Sequence, residues 1–133
     1  MYLLDTNACI QILNNGSPLL VRRMQSHSPT AIYLSTVVKI ELVYGAYYST
    51  RVAQNLRKLE NFFAPFTSLP VDDTCVAHAG QIRADLQRTG TPIGPYDLLI
   101  AATAVAHNLI LVTHNTREFE RVTGLLLEDW ELP

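Results

Sequence analysis

Four carboxylates stand where this chain makes a charge hard to explain. Asp5 ends the apolar run Tyr2-Leu3-Leu4. Glu41 is set in Val37-Val38-Lys39-Ile40-Glu41-Leu42-Val43, where an unpaired charge is costly. Asp97 opens the almost wholly apolar stretch from Tyr96 to His107, and Glu118 follows Asn115 just after the apolar run that ends at Thr113. In one cleft, such acids repel each other unless cations lie between them. Oxygen ligands of this kind suit Mg2+ or Mn2+, and paired divalent ions suit phosphodiester cleavage. Each acid also has a plainer reading. Asp5, followed by Thr6-Asn7, can be a helix N-cap. Glu41 can share a solvated helix face with Lys39, and Asp97 can be stabilised by a helix dipole. Glu118 and Glu120 can be surface charge, which is the better reading for Glu120. The combination is stronger than any member, because the acids recur where strands end.

Other reactive side chains say less. Only two lysines, Lys39 and Lys58, stand against eight arginines, and arginine suits bidentate phosphate contact. Arg83, Arg88 and Arg117 are the candidates beside a cleft, with Arg51 and Arg57 further off. His114 lies next to the acids, where a local hydrogen-bonding role competes with that of a general base. Cys9 and Cys75 lie far apart with no metal-ligand spacing and read as small core residues. Tyr44, Tyr47 and Tyr48 can stack on bases, or form a packing face, including a dimer surface.

The elements that must position these residues follow from length and pattern. The chain has 133 residues, 48% of them apolar and 17% charged, with a net charge of −2. That is one globular domain over residues 1–133, without a global positive field for nucleic acid. No apolar run reaches ~18–20 residues, so no membrane span is expected. The start lacks a basic segment followed by an apolar one, so a cytoplasmic location is expected. Strands are expected at Tyr2–Leu4, Ala31–Leu34, Phe66–Val71, Leu109–Thr113 and Leu125–Leu127. Pro70 places the third at an edge or a strand end. Helices are expected over Thr6–Asn14, from Ser17-Pro18 onward, Thr36 to about Tyr48, Ala53–Phe63, about Thr74–Arg88 and Tyr96–His107, with a short helix or turn at Asn115–Arg121. Ala53, Leu56, Leu59, Phe62 and Phe63 form one apolar stripe, and Val76, Ala79, Ile82 and Leu86 another. Helical crossovers between strands argue for a parallel α/β sheet with helices on both faces. Sites in such sheets form outside the carboxyl ends of the strands.

Read in order, Leu3-Leu4-Asp5-Thr6-Asn7, Ser35 to Ala46, Gly94-Pro95-Tyr96-Asp97-Leu98-Leu99-Ile100-Ala101-Ala102, Leu111 to Phe119 and Leu127-Glu128-Asp129-Trp130 resemble a PIN-domain ribonuclease of the VapC toxin type. The resemblance spans essentially the whole chain. It implies a PIN-like three-layer α/β/α fold with a central parallel sheet, and a Mg2+-dependent (or Mn2+-dependent) endoribonuclease. Asp5, Glu41 and Asp97 match the family's three recurrent acids. Asp5 and Asp97 would hold the metal, and Glu41 would help ligate or orient water. Where many relatives carry an Asp, this chain reads Asn115-Thr116-Arg117-Glu118, so either Glu118 or Asn115 fills the fourth position. Thr6 and Thr113 would orient waters or acids. Hydrolysis would leave a 5′-phosphate and a 3′-hydroxyl. The resemblance also implies a homodimer, a VapB-like antitoxin partner and an RNA substrate, with tRNA the expected one. Two rival classes fit less well. A phosphotransfer domain with Asp5 as nucleophile wants another acid where Asn7 stands and a late lysine. A non-catalytic binding module leaves Glu41 unexplained.

Overall fold

Asp5 lies at the end of a strand with a neighbour on each side. In the computed structural model, which describes residues 1–133, β1 (Tyr2–Leu4) pairs in parallel with β2 (Ile32–Ser35) and with β4 (Ile110–Val112). The sheet is completed by β3 (Thr67–Leu69) beside β2 and β5 (Leu126–Glu128) beside β4, giving the all-parallel order β3-β2-β1-β4-β5. Successive strand residues point to opposite faces. Leu3 and Leu4 are both fully buried, as are Leu111 and Val112, so helices cover both faces, as parallel sheets require. The chain runs outward through β2 and β3, then crosses to β4 on the other side of β1. This reversal sets a crevice at the carboxyl ends of β1 and β4, where Asp5 and Thr113 lie.

The helices are α1 (Thr6–Leu13), α2 (Pro18–Gln25), α3 (Thr36–Tyr47), α4 (Val52–Phe63), α5 (Asp73–Arg88), α6 (Pro95–Ala106) and the one-turn α7 (Thr116–Phe119). Their starts follow from local chemistry. Asp5, Ser17, Ser35 and Asp72 each accept a hydrogen bond from a backbone N–H of the first turn, which satisfies donors that helix geometry leaves free. The break after α1 falls at Asn15, whose φ is +51°, before Gly16. Contacts join α1 to α2 and α3, α3 to α4 and α6, and α5 to α6. Helix α6 is the buried one: Ile100, Ala101, Ala102, Thr103 and Ala104 are fully enclosed. No helix is long and apolar enough to cross a membrane.

Some expected details shift. The buried stripe of α5 is Cys75, Ala79, Ile82 and Leu86, while Val76 is 64% exposed. Those positions recur at i, i+4, i+7 and i+11, and the thiol fills the place given to Val76. Ala53 is exposed, and the stripe of α4 begins at Leu56. Strand β2 starts one residue later than expected because Pro29–Ala31 forms a 3-10 turn. Strand β3 is short and lies at the sheet edge, as Pro70 foretold. The final strand is displaced by one residue, to Leu126–Glu128.

Candidate active site

Asp5 is both a cap and a site residue. Its Oδ1 accepts from the Ala8 N–H at 2.8 Å, closing the first turn of α1, yet the residue is only 4% exposed. Burial raises its pKa, and the Glu131 and Glu41 charges add to the rise. Hydrogen bonds from the Thr113 hydroxyl and Ala8 N–H oppose it. Thr113 is itself buried, and its Oγ1 accepts from the Asn115 N–H at 3.0 Å. The loop after β4 is thereby tied to the end of β1.

Glu41 comes from α3, whose N-terminal half packs beside α1. Thr6, the first residue of α1, donates from Oγ1 to Glu41 Oε1 at 2.7 Å. The hydrogen bond fixes one carboxylate oxygen and leaves Oε2 available to the cleft. Asp97 lies in the first turn of α6 and is half-buried. Its pKa is pushed up to about 6, first by burial and then by the charges of Glu118, Asp5 and Glu41. Glu118, in the single turn α7, has its Oε2 held by the Asn115 side-chain N–H at 2.6 Å. Glu118 thus adds to the rise at Asp97, and Asn115 is its hydrogen-bond partner.

The walls complete a cleft of about 650 Å³, lined by Asp5, Thr6, Glu41 and Asp97 together with Asn7, Ile10, Ile40, Tyr44 and Tyr96. Asn7, Ile10, Ile40 and Tyr96 were not singled out by sequence reasoning. Asn7 and Tyr96 each lie within two residues of an acid, which was the available signal. Glu131, whose charge reaches Asp5, carried none. Arg83 is not brought to this cleft. It lines a separate hollow of about 330 Å³ with Pro92, Ile93 and Pro95, because its position on α5 turns it behind the start of α6. Arg117 is exposed and makes no ion pair, although α7 carries it near Glu118. His114 makes the local contact foreseen for it: Nδ1 lies 2.9 Å from Asp129 Oδ2 and 3.9 Å from Glu131 Oε2. The Asp129 hydrogen bond and the charges of Asp129 and Glu131 raise the His114 pKa.

The acids fit a divalent cation. None of the four is in an ion pair, since the ion pairs are Arg88 with Asp85 and His114 with Asp129 and Glu131. Their donors are all oxygen, which favours Mg2+ or Mn2+ over a thiophilic or imidazole-seeking metal. The carboxyl oxygens of Asp5, Glu41 and Asp97 do not lie within 4.8 Å of one another, whereas a ring nitrogen of His114 and carboxyl oxygens of Asp129 and Glu131 do.

A family model for the PIN domain matches residues 2–125. The chain belongs to the PIN-domain family. Its relatives place this PIN domain among the VapC proteins. It is 41% identical over 129 residues to the tRNA(fMet)-specific endonuclease VapC of Salmonella typhimurium, covering 97% of each chain. It is 44% identical to the Shigella flexneri protein of the same name, again over 97% of each chain. Among solved structures, VapBC2 of Rickettsia felis bound to a promoter DNA fragment contains a chain that superposes with a TM-score of 0.91 at 35% identity. That match covers 97% of this PIN domain and 98% of the other chain. Members of this nuclease family are generally dependent on divalent metals.

Proposed function

We propose that the protein is a Mg2+-dependent endoribonuclease, also served by Mn2+, and the toxin of a VapBC-type pair whose substrate is tRNA. The observation that carries the chemistry is a single cleft lined by Asp5, Glu41 and Asp97 with no lysine or arginine on its walls. The Salmonella and Shigella relatives, each named for tRNA(fMet), support initiator tRNA as the first substrate to test. The whole of residues 1–133 acts as one domain in this reading, in the cytoplasm where tRNA is found.

Asp5 and Asp97 would hold the metal, which when bound offsets phosphate charge and makes water a better nucleophile. The Ala8 N–H and the Thr113 hydroxyl fix Asp5 and oppose the rise in pKa that its burial causes. Thr6 holds Glu41 so that Oε2 can accept a hydrogen bond from the attacking water. Asn115 holds Glu118 at the rim, where its charge contributes to the raised pKa of Asp97. Water oxygen bonds to phosphorus as the 3′ oxygen leaves and takes a proton, giving a 5′-phosphate and a 3′-hydroxyl. A VapB-like antitoxin would silence the site by placing a basic side chain among carboxylates that have no cationic partner of their own.

The test is to incubate antitoxin-free protein with purified initiator and elongator methionine tRNAs in Mg2+, and to map the ends of the fragments. Cleavage confined to the initiator is expected. Equal cleavage of both would remove the substrate assignment, and no cleavage of either would contradict the tRNA reading.

A further inference from the structure

The acid cleft has aromatic walls that its carboxylates do not explain. Tyr44 from α3 and Tyr96 from α6 both line it, and they are 64% and 54% exposed. Behind Tyr44, one turn on, Tyr48 stacks on it with ring centroids 5.7 Å apart and planes 18° from parallel. Exposed tyrosines on a helix are often a packing face, but these two come from different helices and both line the cleft that holds Asp5, Glu41 and Asp97. No lysine or arginine lines the cleft. The protein's own groups inside it therefore repel phosphate, and affinity for a nucleotide must come from somewhere other than ion pairing.

We propose that Tyr44 and Tyr96 hold an unpaired base beside the scissile phosphate, Tyr44 by stacking against a ring already ordered by Tyr48. This rests on the ribonuclease reading and names two base-holding residues for that same site. Stacking requires a base free of its own helix, so the preferred RNA carries the scissile bond in a loop or single strand rather than within a duplex. The stack is not selective for one base, since every base offers a π-face. Sequence preference would then come from elsewhere.

The test compares two RNAs with the same scissile sequence, one in a hairpin loop and one in a duplex, for the wild type and Tyr44→Ala, Tyr44→Phe and Tyr96→Ala. The wild type should cleave the loop RNA in preference to the duplex. Tyr44→Ala should raise KM for the loop RNA about tenfold with kcat within about twofold. Tenfold corresponds to ~1.4 kcal/mol, inside the range for a base on an aromatic ring. Tyr44→Phe should restore the wild-type KM, because the ring and not the hydroxyl stacks, and Tyr96→Ala should also raise KM. An unchanged KM in Tyr44→Ala, or a Phe variant as weak as the Ala variant, would overturn the proposal. So would an oligomeric state by light scattering that changes in Tyr44→Ala, which would assign the face to a second copy. A wild type that cleaves neither RNA would instead remove the ribonuclease reading itself.

Discussion

Replacing Asp97 by asparagine should stabilise the metal-free protein while silencing it. In the folded protein the carboxyl is pushed from its ordinary 3.8 up to about 6, by burial first and then by Glu118, Asp5 and Glu41. The folded state therefore holds this proton more tightly than the unfolded chain does. Its contribution to stability is complete below about pH 4 and is lost as pH rises through about 6. At about 1.4 kcal/mol for each pH unit, the rise is ~3 kcal/mol before screening. Asp97 is only half-buried, so solvent screening reduces this to about 1–1.5 kcal/mol. The dipole of α6, whose first turn holds Asp97, favours the charge and offsets part of that, by ~0.3–1 kcal/mol. Asp97→Asn should therefore raise stability by about 0.6 kcal/mol at pH 7.5, a Tm increase of ~2–3 °C for a chain of this length. At pH 4.5 the gain should shrink to about a third. The assay is urea unfolding in EDTA at both pH values, followed by the fluorescence of the single tryptophan, Trp130, which is 2% exposed. A variant less stable than wild type at pH 7.5, or a gain equal at both pH values, would refute the reasoning.

Asp5 separates capping from chemistry: Asp5→Asn keeps a good N-cap and should lose RNA cleavage without loss of stability, whereas Asp5→Ala should also lose about 1 kcal/mol in urea unfolding. Thr6→Val removes the hydrogen bond to Glu41, which at ~1.5–3 kcal/mol for a charged acceptor should lower kcat about tenfold or more; Thr6→Ser should retain it. The Mg2+ concentration needed for half-maximal RNA cleavage should rise as pH falls below about 6, because the metal must displace the Asp97 proton; a requirement unchanged from about pH 7 to about pH 5 would contradict Asp97 as a metal ligand. The His114–Asp129 pair stabilises the fold only while the imidazole is protonated. His114→Ala should therefore lower Tm at pH 6, and the difference should disappear as pH rises through the raised His114 pKa.

The chemistry of Asp5, Glu41 and Asp97 was legible because each is an acid where the local sequence is otherwise apolar. Burial of such residues needs a reason that type and position alone can supply. The caps at Ser17 and Asp72 and the parallel sheet were legible for a similar reason, since N–H donors and crossover lengths are local properties. Pairing between distant elements was not. Nothing in the sequence ties Thr6 to Glu41, 35 residues away, or Glu131 to Asp5. Arg83 was expected beside the acids because residue type was visible and the rotation of α5 was not. Val76 was given a core place on hydrophobicity, but the helix face was set by Cys75, a residue whose size and polarity let it serve as core.

The most direct test is cleavage of RNA by purified, antitoxin-free protein in Mg2+, in Mn2+ and in EDTA, beside Glu41→Gln and Asp97→Asn, with the chemistry of the new ends determined. The acid cluster as a divalent-metal nuclease site predicts discrete fragments with 5′-phosphate and 3′-hydroxyl ends, abolished by EDTA and by either substitution. Fragments that persist in EDTA, or that the folded Asp97→Asn protein produces at the wild-type rate, would contradict it.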